Sequence, residues 1–101
     1  MTQTIDKSEL MKMLGAFVSV ANAPSRNGCN RAPNQFIIQF EHGKVFQSYR
    51  TLIGAKIGGK LYLTDDHNYS NTTSRHCGKW CGKNCAERRK GIEDGNIILI
   101  V

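Results

Sequence analysis

Apolar side chains recur near the start of the chain at Leu10, Met13, Leu14, Phe17, Val18 and Ala21. That spacing of i, i+3, i+4, i+7, i+8 and i+11 gathers on one helical face. Asp6 precedes the stripe and Glu9 follows three residues later, an arrangement like a capping box, which satisfies free N–H groups at a helix start. The pattern predicts a helix from about Lys7 to Ala21, with its Met and Phe stripe facing a core. Residues 22–34, NAPSRNGCNRAPN, hold both prolines, one glycine and four asparagines. Those residues resist helix and strand alike, so a long loop is expected there.

From Gln35 the period shortens. Gln35–Phe40 and Val45–Tyr49 are rich in β-formers and flank a turn at Glu41–Lys44. Thr51–Ile57 and Lys60–Thr64 flank Gly58–Gly59, a pair that tolerates the positive φ angles of a tight hairpin. An antiparallel meander of three or four strands follows, its apolar face covering the N-terminal helix. Residues 65–74 are polar, and Ser70, Thr72 or Thr73 can cap a second helix running from about Thr73 to Lys90. Gly91, then Asp94 and Gly95, would end that helix. The closing run Ile97–Val101 is expected to be a strand buried on both faces. The fold class is α+β: an N-terminal helix, a meander, a basic second helix and a C-terminal buried strand.

At 101 residues the chain fits a single domain, 1–101, with one modest core. Its longest apolar run, Ile97–Val101, falls far short of the roughly 20 residues a helix needs to cross a bilayer. MTQTIDKSEL lacks the basic segment, apolar run and cleavage site of a secretory signal, so a reducing cytoplasm is expected. In that compartment Cys29, Cys77, Cys81 and Cys85 are free thiols or metal ligands rather than disulfides.

Charge is what sets the chain apart. The stretch from Arg75 to Lys90, RHCGKWCGKNCAERRK, has six cations against Glu87, so +5 of the chain's +6 falls there. A patch of this density is a docking site for something anionic, nucleic acid or the acidic face of a protein. On one continuous helix, Cys77, Cys81 and Cys85 would share the buried face with Trp80 beside them. Lys79, Lys83 and Lys90 would project to solvent, with Arg75 near their edge. The residues expected to contact a partner are Arg75, Lys79, Lys83, Arg89 and Lys90. Arg26 and Arg31 of the 22–34 loop either extend that surface or belong to a solvated connection.

The competing use of the cysteines is zinc, with His76, Cys77, Cys81, Cys85 and Cys29 as ligands. A helix argues against it, because Cys77 and Cys85 would lie about 12 Å apart along the axis. Thiolates on one zinc lie no more than about 4.6 Å apart. No C-x-x-C knuckle is present either, so no cofactor is expected, with zinc the alternative. Catalytic candidates are sparse: Asp65, Asp66 and His67 form a polar cluster, but no P-loop, G-x-S-x-G or H-E-x-x-H pattern exists. An enzyme, a small-molecule substrate and a membrane partner are not expected.

From Asn34 onward, several segments stand out: Phe46–Gln47–Ser48–Tyr49, Ile53–Gly54–Ala55, Gly59–Lys60–Leu61–Tyr62–Leu63, and Asn68–Tyr69–Ser70–Asn71–Thr72–Thr73–Ser74–Arg75–His76 before the basic helix. This portion resembles a small domain found in open reading frames of tailed phages and prophages, the Tyr-Ser-x-Thr-Thr run being its most distinctive part. In sequences of that kind aromatic and aliphatic residues occupy the places of Trp80 and Cys81, which implies core packing for both. The resemblance supplies no catalytic residues. It implies a phage-type accessory protein, and the first expectation is a stoichiometric inhibitor of a host nucleoprotein complex, anti-CRISPR-like. Direct nucleic-acid binding and a virion structural or assembly role are the alternatives.

Overall fold

The computed structural model describes residues 1–24 and 31–101. Its elements are β1 (Thr4–Ile5), α1 (Lys7–Leu14), β2 (Phe17–Pro24), β3 (Arg31–Phe40), β4 (Gly43–Ser48), β5 (Thr51–Ile57) and β6 (Lys60–Leu63). A 3₁₀ turn (Asp65–Asn68), α2 (Asn71–Cys81), α3 (Cys85–Asp94) and β7 (Ile97–Ile100) complete the chain. The class is α+β, as expected. The strands form one seven-stranded sheet in the order β1-β7-β6-β5-β4-β3-β2, more than the predicted meander of three or four with its C-terminal strand.

The first helix is shorter than predicted. Asp6 caps it, its side chain accepting from the Glu9 N–H at 2.8 Å. Gly15, at φ 79°, closes it after Leu14 by donating to the Met11 carbonyl. Phe17, Val18 and Val20 are aromatic and β-branched residues that suit a strand. They lie in β2, paired antiparallel to β3 and mostly exposed. Only Leu10 and Leu14 of the predicted stripe are buried. The predicted loop 22–34 is also narrower: β2 continues to Pro24, and β3 starts at Arg31, which pairs with it. Residues 25–30, with Arg26 and Cys29, lie outside the described residues, as does the Arg31 side chain.

β2 to β6 are a meander of sequential antiparallel pairs, with the β5–β6 hairpin turning through Gly58 and Gly59 at φ 57° and 80°. The chain then crosses over through the 3₁₀ turn, α2 and α3, and returns as β7, parallel to β6. β1 adds in parallel on the far side of β7.

Side chains alternate across the sheet and create two cores. On one face α1 seats Leu10 and Leu14 against Phe40, Val45, Ala55, Tyr62 and Ile100. On the other, α2 and α3 cover Phe46, Ile53, Leu63 and Ile97 with Cys77, Trp80 and Ile92. A β-bulge helps the second face. Phe46 pairs with Gly54 and Gln47 with Leu52, leaving Ile53 as the extra residue. Bare Gly54 then admits Trp80, whose ring would come within 3.0 Å of a Cβ there.

Candidate functional site: a cationic notch between two helices

The predicted single basic helix is two helices. α2 ends at Cys81 because Gly82 turns left-handed, at φ 77°, and its N–H donates to the Gly78 carbonyl. α3 restarts at once. Asn84 caps it with a full capping box: its side chain accepts from the Glu87 N–H, and Glu87 accepts from the Asn84 N–H. The sequence held that signal, since Asn84 and Glu87 stand three apart, with Gly82 two residues before Asn84. α3 also runs on past Gly91, which was predicted to end a helix, to the left-handed cap at Gly95. Gly91 serves packing instead, because a Cβ there would meet Ile97 at 2.6 Å.

This break rearranges the cations. Arg75 and Lys79 on α2 meet Lys83 of the junction and Arg88 of α3 around one cavity of about 550 Å³. Gly78 and Gly82 line it as well, and no acid does. Lys90 is directed elsewhere, to a separate cavity shared with Lys83, Glu87 and Asp94. Arg89 is exposed and lines neither. Of the predicted contact residues, the notch therefore collects Arg75, Lys79 and Lys83, and leaves Arg89 and Lys90 aside.

Arg88 is the residue that sequence reasoning missed. It is 1% exposed, the largest fully buried side chain among the described residues. Its Nε donates to His67 Nδ1 at 2.9 Å, Nη1 to the Lys83 carbonyl at 2.7 Å, and Nη2 to Ser74 Oγ at 2.7 Å and the His67 carbonyl at 3.4 Å. All four acceptors are neutral, so the guanidinium is buried with no carboxylate partner among the described residues. A guanidinium has five N–H donors; the one left over is on Nη1. That nitrogen would be 3.3 Å from a Cβ on Gly78, so the missing side chain lets the charge reach the notch wall. Burial, then the charges of Arg88 and Arg89, hold His67 below its ordinary value of 6.5. Neutral His67 can thus accept from Arg88.

The thiols are divided by the same break. Cys77 is buried in the core, as predicted, while Cys81 and Cys85 are half-buried at facing helix ends. A hydrogen bond between Cys77 and Cys81 pushes the Cys77 thiol up, with burial adding to it. That bond lowers Cys81 to about 6 against the effect of burial, helped by the charges of Arg88 and Lys56. Asn68 Nδ2 lies 3.5 Å from Cys85 Sγ. Among the described residues, no three His, Cys, Asp or Glu side chains gather in a way that could hold a metal ion. His76 is buried, with Nδ1 2.9 Å from the Thr72 carbonyl oxygen. Trp80 packs as core: it stacks on Phe46 at 5.6 Å between centroids, and Lys56 Nζ lies 4.8 Å over its ring. The same ammonium donates to the Trp80 carbonyl at 2.6 Å and caps the end of α2.

Together these features define a small α+β domain with a two-sided mixed sheet and a cationic notch on its two-helix side. The chain belongs to a family of unknown function, DUF8033, whose sequence pattern matches residues 20–96. That span runs from within β2 to the residue before β7 and includes the whole notch. No curated protein and no solved structure matches the chain. No helix among the described residues is long and apolar enough to cross a membrane.

Proposed function

We propose that the chain is a non-catalytic binding protein that grips nucleic acid through the notch between α2 and α3. One observation carries this: Arg88 is buried, with no carboxylate partner among the described residues, at the wall of a cavity ringed by Arg75, Lys79 and Lys83. A buried charge is costly unless it is paired, and an anion seated in the notch would supply the pairing. Arginine's planar fork suits phosphate oxygens, and a nucleic-acid backbone offers phosphates in series. The resemblance to tailed-phage domains supports a setting for this grip. A phage accessory protein that binds a host nucleoprotein defence complex stoichiometrically would inhibit it in the manner of an anti-CRISPR protein.

Titration of labelled DNA and RNA in mobility-shift assays tests this. A complex is expected at low salt, with affinity falling linearly on a log–log plot against salt. Arg75→Glu with Lys83→Glu should abolish it without unfolding the protein, since both side chains are exposed. Absence of any complex at low salt would overturn the proposal.

A further inference from the structure

A second cavity adjoins the notch along α2, and its chemistry is different. It encloses about 470 Å³ between the β4–β5 turn and the start of α2, with Tyr49 and Tyr69 at its rim. Both rings are mostly exposed, at 58% and 79%. Tyr49 is the single non-glycine residue at positive φ (56°) among the described residues, a conformation rare for a bulky side chain. Its N–H donates to the Asn34 carbonyl at 2.6 Å, and its carbonyl accepts from Gln47 Nε2 at 2.7 Å. The backbone is thus fixed while the ring stays outside the core. A chain of hydroxyls connects the two walls: Ser48 Oγ lies 3.1 Å from Thr73 Oγ1, which accepts from Ser70 Oγ at 3.2 Å. Asp66 is the cavity's only charged residue, and its carboxylate has no partner among the described residues.

Two exposed tyrosines, hydroxyls and an acceptor-only carboxylate make a poor phosphate site and a good site for a flat ring with polar edges. Aromatic side chains stack on any nucleobase, and a carboxylate accepts from the amino group of cytosine or adenine. The cavities are joined by one ridge. Thr72 lines the tyrosine cleft and Arg75 and Lys79 line the notch; at i, i+3 and i+7 they share a helix face, spanning about 10 Å. We infer that the Tyr49–Tyr69 cleft takes an unpaired nucleobase of a single-stranded nucleic acid whose phosphates follow α2 into the Arg75–Arg88 notch. This deepens the function proposed above and rests on it. A duplex keeps its bases stacked and cannot fill the cleft.

Fluorescence anisotropy with a labelled strand of about 12 nucleotides and its matching duplex tests this. The wild type should bind the single strand more tightly than the duplex. Tyr69→Ala and Tyr49→Ala should each weaken single-strand binding by about 5- to 100-fold. Duplex affinity and the salt slope should stay unchanged, because no cation is removed. Tyr49→Phe should bind as the wild type, which separates loss of stacking from disturbance of the strained turn. Tyr69 is exposed enough that its removal leaves the fold intact. If both alanine variants bind the single strand as the wild type does while Arg75→Glu with Lys83→Glu loses it, the cleft assignment falls and the notch stands. Equal affinity for duplex and single strand would overturn it too. If the wild type binds neither, both proposals fall together.

Discussion

The two faces of the sheet are covered in opposite ways. On one, the short helix α1 presses Leu10 and Leu14 into an apolar layer containing Phe40, Val45 and Tyr62. The other is covered by two helices with a break between them. There the apolar layer of Phe46, Ile53 and Leu63 lies beneath buried polar groups: His67, Thr73, His76 and Arg88. The first face is a solution to folding alone. The second gives up stability by burying a charge, and proteins concentrate such departures from good packing chemistry where they bind or react.

Single substitutions can sharpen that contrast. Leu14→Ala on the simple face should cost about 2–5 kcal/mol in urea unfolding and leave nucleic-acid affinity unchanged once the protein is folded. Arg88→Ala should cost about 2–4 kcal/mol, because the Lys83 carbonyl, Ser74 and His67 lose their donor. Unlike Leu14→Ala, it should also abolish binding. If Arg88→Ala destabilises without touching affinity, the buried cation is architecture and the contrast dissolves. Gly54→Ala should cost about 1–3 kcal/mol, because its Cβ would meet the Tyr62 carbonyl and Leu63 at 2.7 Å. Trp80, 3.0 Å from the same Cβ, must give way as well, and the effect is read as a lower Tm.

The smallest effect is a pH dependence confined to the polar face. His67 is held below 6.5 in the fold, so the unfolded chain takes up the proton first. Its contribution to stability is present above pH 6.5 and lost as pH falls through the lower folded value. Tm should therefore decline from about pH 7.5 to about pH 5, and His67→Gln, which can still accept from Arg88, should flatten the slope. A slope that survives this change would assign the effect to another group.

Much of the simple architecture was legible in the sequence. The strands between Gln35 and Thr64, the Gly58–Gly59 hairpin, the Asp6 cap and the last strand all follow from local chemistry. Ser70, by contrast, was one of three candidate caps for a helix that starts at Asn71, two residues before the predicted Thr73. The Phe17–Ala21 segment misled because its apolar residues continue the helical spacing of Leu10 to Leu14. Gly15 and the β-branched Val18 and Val20 were the stronger signals. The helix break was legible in Gly82, Asn84 and Glu87, but the even spacing of the cysteines concealed it. Burial of Arg88 had no local sign. It depends on a 3₁₀ turn twenty residues upstream delivering His67, and only the tertiary fold brings those together.

The free border of the sheet has a bearing on every such measurement. β2 hydrogen-bonds to β3 alone among the described residues, and its sequence, FVSVANAP, contains no charge. Strands at such borders are usually guarded by lysine or proline and by irregular register. Here irregularities at Phe17–Ser19 and Asn22–Pro24 leave Ser19 to Asn22 in regular pairing. Mutual repulsion between molecules of charge +6 then does much of the guarding, and it weakens as ionic strength shortens the Debye length to about 8–10 Å. Added electrolyte should thus release a polyanion held as proposed in the notch and, at high protein concentration, invite strand-to-strand association. Dilution tells the two apart, because only the second process vanishes with it.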